Sequence, residues 1–153
     1  MDSMELLETR SSNGKLGEPA PSAAVLDRIL TAALRAPDHG AVRPWRILLV
    51  RGEARNALGE VFADALSRSG AEESKVERAR KKPLRAPLII VVAATPCAHP
   101  KAPECEQVLS AGAVAHTVLL GLHAAGFAGM WRTGALAYDD GVKEALGLSA
   151  SDH

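Results

Sequence analysis

Residues 104–134 read ECEQVLSAGAVAHTVLLGLHAAGFAGMWRTG, and this stretch decides the fold. Its apolar residues recur at alternating steps of three and four, which is the period of one helical face. They are Val108, Ala111, Ala115, Val118, Leu122 and Ala125. Further apolar residues, Ala113, Leu119 and Leu120, cover much of the remaining circumference. We therefore predict a long helix that is buried on most of its sides.

The same run approaches the length that a membrane-spanning helix needs. Four polar residues interrupt it, namely Ser110, His116, Thr117 and His123. Each of these polar groups would cost free energy in lipid unless it were paired. The pattern therefore favours a core helix over a membrane span.

Gly126 and Gly129 punctuate the end of the helical pattern. The next apolar residues, 127–131, predict a short buried strand that leads into Arg132. The Trp131 indole can pack flat against a ring, and Arg132 can donate to carbonyl or phosphate oxygens in forked geometry. The alternative is a core tryptophan beside a surface arginine, and the segment alone does not decide between the two.

The composition bounds the class of protein. A chain of 153 residues fits one domain, residues 1–153. Its net charge of zero gives no overall field that would attract nucleic acid or an anionic membrane. Cys97 and Cys105 are the only cysteines, and no signal-like N-terminus precedes them, so we expect a cytoplasmic protein.

Two apolar segments predict the strands of a sheet. Apart from Arg46, residues 45–50 and 86–94 are β-branched or apolar without alternation, which is typical of strands buried on both faces. Helices are predicted around them. Asp2 or Ser3 is the expected cap of the first helix, and Ser22 that of the second.

Two loops carry candidate binding residues. Residues 10–15 read RSSNGK and combine two cations with short hydrogen-bonding side chains, a composition that suits a phosphate but also an ordinary solvated turn. The loop between Pro37 and Pro44 carries His39 and Arg43, with Arg35 one turn upstream. His and Arg on a constrained loop can line a ligand site, although a loop histidine can also be merely exposed.

Two other groupings leave alternatives open. Cys97, His99 and Cys105 could ligate a metal, yet their spacing matches no closed zinc site and a fourth ligand is not evident. Basic residues cluster over 75–85. We interpret this cluster as a solvated helix end, with a site for the extra phosphate of NADPH as the alternative.

Four separated patches together resemble one family. They are Arg-Ser-Ser at 10–12, RAPDH at 35–39 leading to Pro44-Trp45, RAPLII at 85–90, and GFAGMWRTGA at 126–135. In order and spacing they resemble the nitroreductase family, and within it the compact subgroup of NAD(P)H nitroreductases. The resemblance covers nearly the whole chain.

The resemblance implies an α+β fold, with a central mixed sheet flanked by helices and a long buried central helix. It also implies a homodimer that binds two FMN molecules at the subunit interface, with each site built from both chains. NAD(P)H would be the electron donor and a small molecule the acceptor. The flavin would carry the hydride through N5, so the resemblance implies binding residues and no catalytic residue of the protein.

The family's binding residues carry over position by position. The resemblance assigns FMN contacts to Arg10, Ser11, Ser12, Arg35, His39, Trp131, Arg132 and Thr133. It assigns a nicotinamide-nucleotide contact to Gly121, Leu122, His123, Ala124, Ala125 and Gly126, although a buried helix end would explain the same six residues. No metal ligand is implied.

The chain departs from the family at two places. Ser11 stands where the family usually has a second arginine, so one potential cation for the phosphate is missing. In the family a further strand and a C-terminal tail follow the position of His153, so we expect an incomplete domain whose last strand is missing.

The leading hypothesis is therefore an FMN-dependent oxidoreductase that passes hydride from NAD(P)H to nitroaromatics, quinones or similar acceptors. A second hypothesis is a flavin-binding or structural remnant of the family without turnover. The third is a small metal-binding protein that uses Cys97, His99 and Cys105.

Overall fold

A computed structural model describes residues 2–153. The helices are α1 (Ser3–Thr9), α2 (Ala23–Ala33), α3 (Ala54–Arg68), α4 (Glu73–Arg80), α5 (Glu104–Ala124), α6 (Ala135–Tyr138) and α7 (Asp140–Ala145). The strands are β1 (Trp45–Arg51) and β2 (Leu88–Ala94), and short 3-10 turns span His39–Ala41 and Lys82–Arg85. The predicted α+β class is confirmed.

The predicted helix starts are confirmed at α1 and α2. The Asp2 carboxylate accepts hydrogen bonds from the backbone N–H groups of Met4 at 2.8 Å and Glu5 at 2.9 Å. The Ser22 hydroxyl accepts from the Val25 N–H at 3.4 Å. These side chains satisfy backbone donors that the first turn of a helix leaves without a partner, which is why both helices begin where they do.

β1 and β2 pair antiparallel, with Trp45 opposite Ala94 and Arg51 opposite Leu88. Over residues 2–153 the only other strand pairing is an isolated parallel bridge between Ser12 and Gly129. The predicted strand over 127–131 is therefore wrong, and the parallel part of the expected mixed sheet is reduced to that bridge. The physical reason is that a strand needs a paired neighbour, and among the described residues only the segment at Ser12 and Asn13 pairs with residues 127–131, through Gly129.

The core lies between α2, α5 and one face of the sheet. It contains Ile29 and Ala33 of α2 with Val114, Val118 and Leu122 of α5. Trp45, Ile47, Ile90 and Val92 pack against these residues from the sheet. Because side chains alternate along a strand, Leu48 and Val50 point to the opposite face of the sheet. α3 also contacts β1.

The prediction that α5 is buried on most sides is wrong for the single chain. Its buried residues, Gln107, Ser110, Ala111, Val114, Val118 and Leu122, lie on one side. Leu109 is 72% exposed. By length and hydropathy α5 could cross a membrane, but a core helix meets the same criteria, and α5 packs against α2 and β2. On the opposite side of the helix Leu109 and His116 are exposed, so that side is only partly covered by its own chain.

The last residues return to the sheet. His153 and Ala94 exchange two backbone hydrogen bonds, of 2.7 and 2.8 Å. Lys143 is buried, and its ammonium group donates to the Ala150 carbonyl at 2.8 Å. These contacts hold residues 148–153 beside the end of β2.

Gly59 marks the closest approach between α3 and α4. It is buried, and an added Cβ would overlap the backbone carbonyl oxygen of Arg80. We expect Gly59→Ala to lower the free energy of unfolding by about 1–3 kcal/mol, because the backbone of α4 has to move away. Urea unfolding measures the change. Gly17→Ala is the control, because nothing lies within 4 Å of its added Cβ, and equal midpoints for the two variants would contradict the packing.

Candidate functional site

The fold brings together two of the candidate patches that are far apart in sequence. Ser12 forms its parallel bridge with Gly129, and the Asn13 N–H donates to the Gly129 carbonyl at 3.2 Å. Residues 10–12 therefore lie beside the segment that carries Trp131, Arg132 and Thr133. We call these six residues the tryptophan cluster.

A side-chain contact fixes the end of α1 on α5, directly before Arg10. The Thr9 hydroxyl lies 2.6 Å from the Glu5 carbonyl oxygen and 2.9 Å from His123 Nε2. Its single proton is donated to the carbonyl, so the hydroxyl accepts the second hydrogen bond from His123. The position at which Arg10 leaves the helix is thereby set by the long helix.

Trp131 is not a core residue. It is 48% exposed, and its ring lies beside Gly112 of α5, where an added Cβ would be 3.9 Å from Cη2. The alternative of a core tryptophan beside a surface arginine is therefore wrong. An indole that rests on a helix with half its surface open can stack on a planar ligand.

The cations of the tryptophan cluster are available to a ligand. Within the described chain, the side chains of Arg10 and Arg132 make no hydrogen bond or ion pair, and neither do those of Ser11, Ser12 and Thr133. Two guanidinium groups and three hydroxyls thus remain free to donate. Such donors suit phosphate and carbonyl oxygens.

The second group of candidates lies at the other end of α5. His39 Nδ1 is 2.6 Å from the Glu106 carboxylate in the first turn of that helix. Arg35 follows α2 and is exposed. We call Arg35 and His39, with their partner Glu106, the histidine cluster. The carboxylate orients the imidazole and leaves Nε2 open to a ligand.

The loop that carries His39 is held in an unusual backbone conformation. Ala41 and Arg43 have φ of 54° and 51°, in the left-handed region that L-residues rarely adopt. The Asp38 carboxylate accepts from the Arg43 N–H at 2.6 Å and stabilises this turn. Residues in such conformations concentrate at ligand sites, so the constrained loop supports the binding interpretation of His39.

The two clusters do not meet within one chain. Glu106 and Gly112 are six residues apart on α5, which places them about 120° apart around the helix axis. No hydrogen bond or ion pair of residues 2–153 joins the clusters. A single chain therefore presents the two clusters on different sides of one helix.

The predicted nucleotide-contacting stretch is the C-terminal end of α5. An added Cβ at Gly121 would lie 2.8 Å from Ile29 Cγ2, and Leu122 is in the core. Ala124, Ala125 and Gly126 are exposed. Packing of the helix end thus explains Gly121 and Leu122, and the nucleotide role of residues 121–126 stays a prediction.

The metal-binding hypothesis finds no geometric support. The described residues contain no group of three His, Cys, Asp or Glu side chains that could hold a metal ion. His99 Nδ1 accepts backbone hydrogen bonds from Lys101 and Ala102, which uses one of its nitrogens within the loop. Cys97 and Cys105 are exposed free thiols.

Sequence reasoning missed two residues. Glu106 looked like an ordinary acid in the first turn of a helix, and only the fold shows that it orients His39. Gln107 is 2% exposed and binds the backbone of Cys97 and Ala102 through three hydrogen bonds of 2.7–3.0 Å. A glutamine inside an apolar helix was the signal that could have revealed this clamp.

Comparison with known proteins identifies the family of the chain. A sequence model described as "Nitroreductase family" matches residues 7–153. The chain belongs to the nitroreductase family. It is 40% identical over 152 residues to "Putative NAD(P)H nitroreductase YdjA" of Escherichia coli K12, an alignment that covers 99% of this chain and 83% of the relative.

Solved nitroreductase structures share the fold. A nitroreductase-like protein from Bacillus cereus superposes with a TM-score of 0.86 at 22% identity, covering 100% of this chain and 81% of the other. The FMN-dependent nitroreductase NfnB of Mycobacterium smegmatis, solved in complex with NADPH, gives a TM-score of 0.72 at 17% identity, with coverage of 97% and 82%. At these identities the structural likeness supports the fold.

Proposed function

We propose that this family member is an FMN-dependent oxidoreductase, which passes hydride from NADPH or NADH to nitroaromatics, quinones or similar acceptors. One observation carries the proposal: the fold sets the free donors of residues 10–12 beside a half-exposed Trp131 and Arg132. A flavin mononucleotide needs both a phosphate anchor and a planar slot. The named relatives, an NAD(P)H nitroreductase and an FMN-dependent enzyme with NADPH, support the same assignment.

Bound FMN would supply the redox chemistry by accepting a hydride at N5 and giving it to the acceptor. The chain's own residues bind and orient. Arg10, Ser11 and Ser12 would hold the phosphate, and Arg132 and Thr133 would donate to oxygens of the cofactor. Ser11 offers a hydroxyl where the family usually has a guanidinium, so the phosphate has one cation fewer.

We further infer that the complete site forms between two copies of the chain. The histidine and tryptophan clusters do not meet in one chain, and α5 presents a partly uncovered stripe of residues spaced four, three and four apart. This stripe consists of Leu109 and His116, which are exposed, and of Ala113 and Leu120, which are half-buried. Packing two chains along it would cover the exposed Leu109 and let Arg35 and His39 of one chain complete the tryptophan cluster of the other.

The proposed setting is the cytoplasm. Both cysteines are free thiols at the surface, which suits a reducing compartment, and reduced nicotinamide cofactors are found there.

The two-chain site predicts a linked loss of assembly and flavin. Leu109→Glu puts a charge into the proposed interface, so we expect a monomer that binds FMN at least about tenfold more weakly. Light scattering measures the mass, and quenching of flavin fluorescence measures the affinity. Leu84→Glu is the matched control, because Leu84 is 46% exposed on the turn Lys82–Arg85, away from α5. A Leu109→Glu monomer with unchanged FMN affinity would refute the shared site.

Turnover separates this proposal from a flavin-binding protein without activity. FMN-loaded protein is mixed with NADPH or NADH and with a nitroaromatic or a quinone. Consumption of the nicotinamide that depends on both the protein and the acceptor is the expected result. A protein that binds flavin stably but consumes no NADPH or NADH would instead support the hypothesis of a family member without turnover.

A further inference from the structure

A basic pocket lies outside the two clusters of the candidate site. It is formed by α3, α4 and the turn Lys82–Arg85, and has a volume of about 290 Å³. Its lining residues are Leu66, Lys75, Arg78, Lys82 and Arg85. Four exposed basic residues thus line one concavity, largely with the aliphatic parts of their side chains, and none of its lining residues is acidic.

These four cations lack partners within the chain. Arg80, their neighbour on α4, forms ion pairs with Glu60 and Glu77. By contrast, the side chains of Lys75, Arg78, Lys82 and Arg85 make no hydrogen bond or ion pair in the part of the chain that the structure describes. The protein as a whole carries no net charge, so this concentration of positive charge is local. Like charges around one pocket repel each other, and a bound anion would relieve that repulsion.

The lining favours a small anion over a polymer. Guanidinium groups bind phosphate oxygens in forked geometry, and lysine ammonium groups add point charges. A volume of about 290 Å³ is at the small end of ligand sites. No aromatic ring lines the pocket, so it has no surface on which the bases of single-stranded nucleic acid would stack.

The pocket is also distinct from the candidate flavin site. α2 and α5 cover the face of the sheet that carries Ile47 and Val92, whereas the pocket is formed by α3, α4 and the turn Lys82–Arg85. The tryptophan cluster packs on α5, and it shares no residue with the lining of the basic pocket.

We propose that this pocket is a binding site for a pyrophosphate group, either as inorganic pyrophosphate or as the diphosphate of a nucleotide. Two adjacent phosphates present enough oxygens to engage the two arginines and two lysines at once. The proposal does not depend on the proposed oxidoreductase activity, because it rests on residues of α3, α4 and the following turn.

Isothermal titration of the full chain, saturated with FMN, with inorganic pyrophosphate tests the proposal. We expect one saturable site per chain, tighter for pyrophosphate than for orthophosphate, and weaker as ionic strength rises to about 0.15 M. Titration with ADP distinguishes the two sources: tighter binding of ADP assigns the site to a nucleotide, and equal binding assigns it to the inorganic anion. Absence of saturable binding at low ionic strength overturns the proposal.

Paired variants separate the pocket from general surface charge. Arg78→Gln with Lys82→Gln should weaken pyrophosphate binding about tenfold or more, and Lys75→Gln with Arg85→Gln should do the same. Arg28→Gln with Lys101→Gln is the matched control, since both residues are exposed, have no side-chain partner in residues 2–153 and do not line the pocket. An equal loss of affinity in the control would show that only net charge matters and would overturn the site.

Discussion

Arg10→Ala and Arg132→Ala are each expected to weaken FMN binding about 10- to 100-fold, since a charge-assisted hydrogen bond contributes about 1.5–3 kcal/mol. Both guanidinium groups are free of internal partners, so their removal takes donors from the ligand without breaking a contact of the fold. Quenching of flavin fluorescence on titration into the apoprotein gives the dissociation constant.

A control variant and a measurement of stability accompany this prediction. Arg28→Ala removes an exposed arginine of α2 that lies outside both clusters, and it should leave the affinity unchanged. Thermal unfolding without flavin should be the same for all three variants. Unaltered FMN affinity in both Arg10→Ala and Arg132→Ala would remove the tryptophan cluster as the flavin anchor.

Gln107→Leu should lower the free energy of unfolding by about 3 kcal/mol or more, which is the largest stability effect we expect. The side-chain amide accepts from the Cys97 N–H and donates to the carbonyls of Cys97 and Ala102. Leucine fills a similar volume but leaves three backbone groups without partners, at about 1–3 kcal/mol each. Urea unfolding monitored by circular dichroism measures the loss.

The same substitution should also disturb the position of His39 in the histidine cluster. Gln107 holds the loop over 95–103, and His99 of that loop lies against the His39 turn, where a Cβ added at Gly40 would be 3.0 Å from His99 Cε1. Thr117→Val is the control on the same helix, because it removes only a hydroxyl bonded to the Ala113 carbonyl one turn earlier. Equal stability of the Gln107→Leu and Thr117→Val variants would contradict the role of Gln107 in holding the loop over 95–103.

The sequence predicted the positions of most helices and strands well, because the residues that determine where an element begins lie within or beside that element. Asp2 and Ser22 cap helices through their own first turns. The two apolar runs became β1 and β2 within two residues of the expected starts. The period of residues 104–125 was sufficient to predict α5 as a helix.

The environment of α5 could not be predicted from the same residues. An apolar surface is covered equally well by the same chain or by a second copy, and the helical period does not distinguish these cases. The strand expected over 127–131 failed for a related reason. A strand forms only where a second segment pairs with it, and among the described residues only Ser12 and Asn13 pair with Gly129.

The candidate site was found by motif and assembled by the fold. Residues 10–12 and 131–133 were selected for their chemistry, but their proximity depends on the bridge between Ser12 and Gly129. The partnership of His39 with Glu106 spans 67 positions and has no local signature. Residue types therefore favoured a phosphate-bearing ligand, whereas the fold showed which of these residues lie together in one chain.

The most direct test of the flavoenzyme assignment is the visible absorption spectrum of the purified chain after loading with FMN, recorded anaerobically before and after adding NADPH or NADH. We predict protein-bound flavin bands that bleach on addition of the nicotinamide and return when an oxidised acceptor is supplied. A protein that takes up no FMN, or whose bound flavin neither nicotinamide bleaches, would contradict the proposed function.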